Sequence, residues 1–179
     1  LVIAFIILSL VFWKYLELTN IRKHQISIKL NSLKIFLFLI FLQLIIGAFV
    51  SGMDAGKIYN TWPLMGSTYF PDDSKFAELF NLNLFDNPSI VQFIHRNLAY
   101  LIIFIYFNIL YIVLKNGNIK LRFPIMIMGL SLLFQIFLGI LTVLSGVNIL
   151  YASLHQINSI LIIFSTLYFI YITKYNEIN

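Results

Sequence analysis

LKIFLFLIFLQLIIGAFVSGM, Leu33 to Met53, decides the fold class: its only charge is Lys34, at one end. As a helix rising 1.5 Å per residue it spans about 30 Å, the thickness of a bilayer's hydrocarbon core. Four more apolar stretches flank it: Leu1 to Tyr15, Pro88 to Leu114, Phe123 to Leu144 and Ile149 to Thr173. The first is short and reads as truncated. Pro88 after Asn87 and Pro124 after Phe123 suit first-turn positions, where a missing N–H costs nothing. The composition agrees: 60% of the 179 residues are hydrophobic and 11% charged, against roughly 45–50% and 25% in soluble domains. This excludes an ordinary soluble globule and a disordered chain. The expected fold is all-α and polytopic, a four-helix transmembrane bundle plus one truncated extra transmembrane helix. With no cysteine, disulfides and thiolate-ligated clusters are excluded.

The net charge of +5 reads as topology, with no nucleic-acid role. Lys14, Arg22, Lys23, Lys29 and Lys34 flank or fill the first loop, Lys115, Lys120 and Arg122 the third, and Lys174 the tail, while Lys57, Lys75 and Arg96 fall on the other side. The positive-inside rule puts the first loop, the third loop and the C-terminus in the cytoplasm, and the loop 54–87 outside. His24 sits in the basic first loop and reads as solvated. The chain opens at Leu1 inside an apolar run, with no signal-peptide pattern, so an N-terminal part is expected to be missing. The outer loop is too long and aromatic for a plain linker. Its stretch Ser74 to Leu84 predicts a short amphipathic helix, either an interfacial anchor or a lid over a site.

A weak internal repeat organises the rest. Leu42 to Gly52 reads LQLIIGAFVSG and Phe134 to Gly146 reads FQIFLGILTVLSG. Both carry Gln-x-x-x-Gly, as Gln43/Gly47 and Gln135/Gly139, and both end in Ser-Gly. Each is followed by a span with a histidine near its outer end, His95 and His155. The unit is helix, loop, histidine-helix, used twice, and such repeats commonly build a membrane site at their interface. His95 lies roughly 10 Å below the outer end of its span, and His155, Gly47 and Gly139 roughly 9 Å below theirs. In an up-down bundle the two histidine spans are diagonal, so their imidazoles can face each other. The glycines clear side chains at that level, leaving room for a flat group.

A planar macrocycle with two axial imidazoles meets those requirements, and haem iron accepts one on each face. Gln92 and Ala99 share the face of His95, and Ala152 and Ser159 that of His155. Arg96 and Lys57 lie toward the outer surface, where carboxylates of such a ring would emerge. A zinc site would want a third ligand, for which Asp54 and Gln92 are poor candidates. A transporter would place charges near the bilayer midplane, where only Gln43, Asn108 and Gln135 stand.

GAFVSGMDAGKIYNTWPLMG (Gly47 to Gly66), QFIHRNLAY (Gln92 to Tyr100) and LHQINS (Leu154 to Ser159) together resemble the C-terminal half of haem A synthase, in its cysteine-free alphaproteobacterial and mitochondrial type. The resemblance runs from about Leu33 onward. It implies an oxidoreductase of eight transmembrane helices in two similar halves, which oxidises the C8 methyl of haem O to a formyl group. Residues 1–32 would then be the last helix of the N-terminal half plus a cytoplasmic loop, and 33–179 the haem-binding bundle. It implies haem b, an iron cofactor, held by His95 and His155, with Gly47, Gln92, Arg96 and Gly139 around it. It also implies haem O as substrate, the lipid bilayer of the cell inner membrane as setting, and haem O synthase (protohaem farnesyltransferase) as a partner. The resemblance implies that the other half carries the substrate-haem site, with its own histidine pair and a glutamate one turn before the first. Gln92 stands at the corresponding position here, so this chain alone is expected to be inactive. A bis-histidine cytochrome b subunit that only carries electrons is the alternative, and the NTWPLM loop argues against it.

The charge asymmetry is directly testable. Reporter fusions at Asn118 and Asn179 are expected to read cytoplasmic, and one at Asp73 external. An external signal at Asn118 would invert the arrangement and put both histidines near the inner surface.

Overall fold

In the computed structural model, residues 1–19, 30–81 and 84–173 are described, and all regular structure among them is helical. The helices are α1 (Val2–Leu18), α2 (Leu30–Gly52), α3 (Pro88–Lys115), α4 (Ile119–Leu144) and α5 (Ile149–Thr173). Three 3-10 turns, Ala55–Lys57, Phe76–Phe80 and Leu84–Asp86, punctuate the segment between α2 and α3. Ser32–Gly52, α3, α4 and α5 are each long and apolar enough to cross a membrane, so the chain is an all-α, multi-pass membrane protein. At 17 residues, α1 spans about 25 Å. His24 and the basic residues Arg22, Lys23, Lys29 and Lys174 lie outside the described residues.

Sequence explains where the helices start and stop. The Asn87 side chain accepts hydrogen bonds from the N–H groups of Ser89 and Ile90, and Pro88 takes the first helical position. That satisfies two orphan donors and loses none. The second proline start expected from sequence is corrected. α4 begins at Ile119, capped by Asn118 on the Lys120 N–H, and Pro124 lies inside the helix. Asn118 offers the cap acceptor that Phe123 lacks, so the helix starts about one turn earlier. α4 and α5 are joined by a tight turn in which Gly146 (φ 67°) and Val147 (φ 65°) are both left-handed. The valine there is an uncommon occupant.

α2 packs on α3, α3 on α4, α4 on α5 and α5 on α2, closing a ring, while α1 lies against α5 and α2. α3 and α5 are therefore diagonal, as expected. α5 is the innermost element: 67% of its most apolar window is buried, against 22% for α2, α3 and α4, whose outer faces are left for lipid. Phe12 of α1 stacks on Phe164 of α5 at 4.1 Å between ring centres. α3 and α4 approach closely at Gly129, where a Cβ would run into the Tyr106 ring and hydroxyl of α3. That hydroxyl donates to the Ile125 carbonyl at 3.0 Å. Small residues at such crossings let backbones approach in a medium that gives no hydrophobic drive to pair.

The stretch Ser74 to Leu84 differs from expectation. It forms the 3-10 turn Phe76–Phe80 and no amphipathic α-helix among its described residues. The Glu78 carboxylate, accepting from the Lys75 N–H and from Asn87 Nδ2, ties the segment to the start of α3.

Gly129→Ala is expected to lower the melting temperature in detergent by several degrees, since overpacking costs about 1–3 kcal/mol. Adding Tyr106→Phe should recover part of the loss by removing the hydroxyl at the point of conflict. An unshifted Gly129→Ala melt would contradict the close α3–α4 approach.

Candidate functional site

The ring of helices encloses a cavity of about 480 Å³, within the range of small-ligand sites. His95, the eighth residue of α3, and His155, the seventh of α5, both line it. Gly47, five residues before the end of α2, and Gly139, five before the end of α4, line it too. So do Gln92, Ala99, Ala152 and Ser159, the neighbours expected on the histidine faces.

The glycines do something more specific than expected. A Cβ on Gly47 would stand 3.1 Å from His95 Cε1, and one on Gly139 3.0 Å from His155 Cε1. Each glycine makes room first for the imidazole of the next helix and only through it for anything in the cavity. The glutamines of the repeat join the same contact. Gln43 Nε2 lies 3.3 Å from His95 Nε2, and Gln135 Nε2 lies 3.3 Å from His155 Nε2. The repeat therefore builds one local structure twice: a glycine under the ring and an amide at its Nε2. An amide nitrogen donates, so each Nε2 presents its lone pair and each proton sits on Nδ1. The Nδ1 of His155 lies 3.0 Å from the Gln135 carbonyl, which can only accept. The Nδ1 of His95 is buried with no partner. Sequence reasoning misses the role of Gln43 and Gln135, because Gln-x-x-x-Gly looks like routine helix packing; their recurrence before both histidines is the available signal.

Arg96 and Gln92 both line the cavity, and their donors also hold the outer loop. Arg96 donates to the carbonyls of Thr61 (2.9 Å), Leu64 (3.3 Å) and Tyr59 (3.0 Å). Gln92, 2% exposed, donates to the Tyr59 carbonyl at 3.1 Å. Irregular backbone at this depth must find partners, and these side chains supply them. Only Arg96 Nε and Gln92 Oε1 remain buried and unpartnered on these two side chains. Lys57 is paired with Asp54 at 2.8 Å.

The loop residues now have places. Thr61 accepts from the Gly66 N–H and donates to the Leu64 carbonyl, closing the turn that carries Trp62. Trp62, Asp54 and Lys57 line the cavity from the loop. Asn60 donates to the carbonyls of Gly56 and Val143, both at 3.0 Å, fastening the loop to the end of α4. Behind it, Tyr59 donates to Asp72 at 2.6 Å and Ser89 to Asp73 at 2.6 Å. Burial and the Asp72 contact push the Tyr59 hydroxyl up to about 12. Burial works to raise Asp73, but hydrogen bonds from Ser89, Ser74 and Tyr59 outweigh it and hold the carboxyl below its ordinary value.

Arg96→Ala is expected to speed tryptic cleavage at Lys57 by about tenfold or more, since bonds to a charged group contribute about 1.5–3 kcal/mol. Arg96→Lys should rescue little, because an ammonium cannot reproduce the planar fork across three carbonyls. Unchanged cleavage in Arg96→Ala would mean the loop is held elsewhere.

Residues 1–167 match the family model COX15-CtaA, described as cytochrome oxidase assembly protein. The chain is 45% identical over 174 residues to Heme A synthase of Pelagibacter ubique, an alignment covering 96% of this chain and 50% of that protein. It is 40% identical over 175 residues to Heme A synthase of Wolbachia pipientis wMel, covering 95% and 48%. With Heme A synthase of Rickettsia bellii (strain RML369-C) it shares 36% over 168 residues, covering 91% and 50%. The chain spans about half the length of these curated relatives. No solved structure matches it. A match that begins at the first helix and runs into the last places both histidines and the loop between them within it: the chain belongs to the COX15-CtaA family of cytochrome oxidase assembly proteins.

Proposed function

We propose that this chain binds a b-type haem between His95 and His155 and serves haem A formation, the oxidation of the C8 methyl of haem O to a formyl group. One observation carries the reading: two imidazoles, each seated on a glycine with its Nε2 lone pair met by a glutamine amide, line one cavity on diagonal helices. The amide N–H keeps each ring in the tautomer whose Nε2 lone pair could hold a metal, from which the amide would have to turn away. Among the described residues no three His, Asp or Glu side chains stand together as a metal site. Two imidazoles suit a metal that brings the rest of its coordination in a macrocycle. The buried, unpartnered Arg96 Nε is a donor with capacity left for a carboxylate of such a group. The relatives' name supports the biosynthetic role.

When bound, the haem supplies one-electron redox chemistry. The chain's own residues do the rest. His95 and His155 offer the ligand lone pairs. Gly47 and Gly139 hold both rings at one depth, and Arg96, Gln92 and Asn60 fasten a loop that limits water. No carboxylate stands at Gln92, and a neutral amide is no general base near pH 7. In this reading residues 1–32 close a preceding half that carries the oxidising site, and 33–179 form the haem-holding bundle. The protein lies in the inner membrane with its C-terminus cytoplasmic, receiving haem O from haem O synthase.

The purified chain is expected to show a low-spin b-type spectrum. His95→Ala and His155→Ala should each abolish it, and His24→Ala should leave it intact. In cells that supply haem O and lack their own synthase, residues 1–179 alone should leave haem O unconverted until an N-terminal half is supplied. Haem A made by this chain alone would put the oxidising site here and overturn the assignment.

A further inference from the structure

The two copies of the repeat diverge in how the histidine contact is supported. Three residues after His155, one helical turn on the same face, stands Asn158, 3% exposed. Its Nδ2 donates to Gln135 Oε1 at 2.8 Å and to the Ser131 carbonyl at 2.9 Å. Gln135 is thus clamped at its amide oxygen, and its backbone carbonyl takes the His155 Nδ1–H. Three residues after His95 stands Leu98, also buried in the core, which offers no side-chain hydrogen bond. Gln43 has no clamp there. Its Nε2 turns to the His95 carbonyl at 3.0 Å, and Gln43 Oε1 and His95 Nδ1 are both left buried without partners. One imidazole is fixed in orientation and made more basic by an Nδ1–H···O=C bond; the other has neither support.

We propose that the two imidazoles are unequal ligands: His155, whose Nδ1–H is held by the Gln135 backbone carbonyl, is the permanent one, and His95, whose Nδ1 has no partner, is exchangeable. The proposal rests on the haem reading above. The consequence is chemical. A small neutral ligand that competes for ferrous haem, such as carbon monoxide, enters on the His95 side by displacing that ring.

The test uses the full chain loaded with haem in detergent, read by its visible spectrum, by carbon monoxide affinity and by haem loss to excess apomyoglobin. His95→Gly should retain haem as a five-coordinate, high-spin species and bind carbon monoxide more tightly than the unaltered chain, which must first give up a ligand. His155→Gly should lose haem faster than His95→Gly by about tenfold, the scale of an outer contact such as the Gln135 carbonyl. Equal haem loss from the two glycine variants overturns the inequality. If His155→Gly does not fold, His95→Gly decides alone: rapid haem loss from it overturns the inequality. If neither glycine variant changes the spectrum, the haem assignment itself falls, a result distinct from failure of the inequality.

Discussion

An imidazole laid on a glycine, helix against helix, is the contact on which the rest of this bundle depends. A histidine inside a bilayer needs a partner for its ring nitrogens and a space for its ring, because lipid supplies neither. Gly47 and Gly139 give the space, with ring carbons about 3 Å from where a Cβ would stand. Gln43 and Gln135, one turn earlier on the same helices, give the partner. This fixes both the pairing and the depth of α2 on α3 and of α4 on α5. A slide of one helical turn along either pair would take the ring off its glycine and strand its nitrogens. The tight crossing at Gly129 and Tyr106 then joins the two pairs, with α5 the most buried of the four.

The outer loop depends on the same helices. Arg96 sits one residue after the histidine of α3, and Gln92 three before it, so the helix that presents the ring also presents the donors that hold Tyr59, Thr61 and Leu64. A guanidinium has five donors in a plane and suits a curved run of carbonyls. The arginine that the sequence offers to a carboxylate is engaged here by the backbone of its own chain, which couples the order of the loop to the orientation of the histidine helix.

The bundle is legible in the sequence because its signal is coarse and one-dimensional. Thirty ångströms of hydrocarbon demand a run of apolar residues, and the five helices fall within about a turn of the expected runs. The similar places of His95 and His155, eighth and seventh in their helices, also follow from counting, since rise per residue is constant along a helix. What counting cannot give is the azimuth of each side chain. It leaves Gly47 and Gly139 clearing space for a flat group, whereas the imidazoles themselves take that space. Pro124 has the same lesson at a helix end. A first-turn proline is a common start, but Asn118 carries a side-chain acceptor for the Lys120 N–H, and a start at Phe123 would have none. Cap chemistry decides the boundary, and it depends on a hydrogen bond that apolar periodicity does not report.

The two copies share a core and differ at their outer ends, and the difference is geometric. The first copy joins its helices by a long loop, the second by the tight turn at Gly146 and Val147. That turn is where the long loop lands. Asn60 reaches the Val143 carbonyl in the last turn of α4, which also accepts from the Gly146 N–H. Gly56 passes the turn so closely that a Cβ would stand 3.0 Å from Val147 Cγ2. A second long loop between α4 and α5 would occupy this landing place. One loop therefore covers both copies, and the shortness of the second connection is the condition for it: the cavity is roofed from the first copy and walled by both.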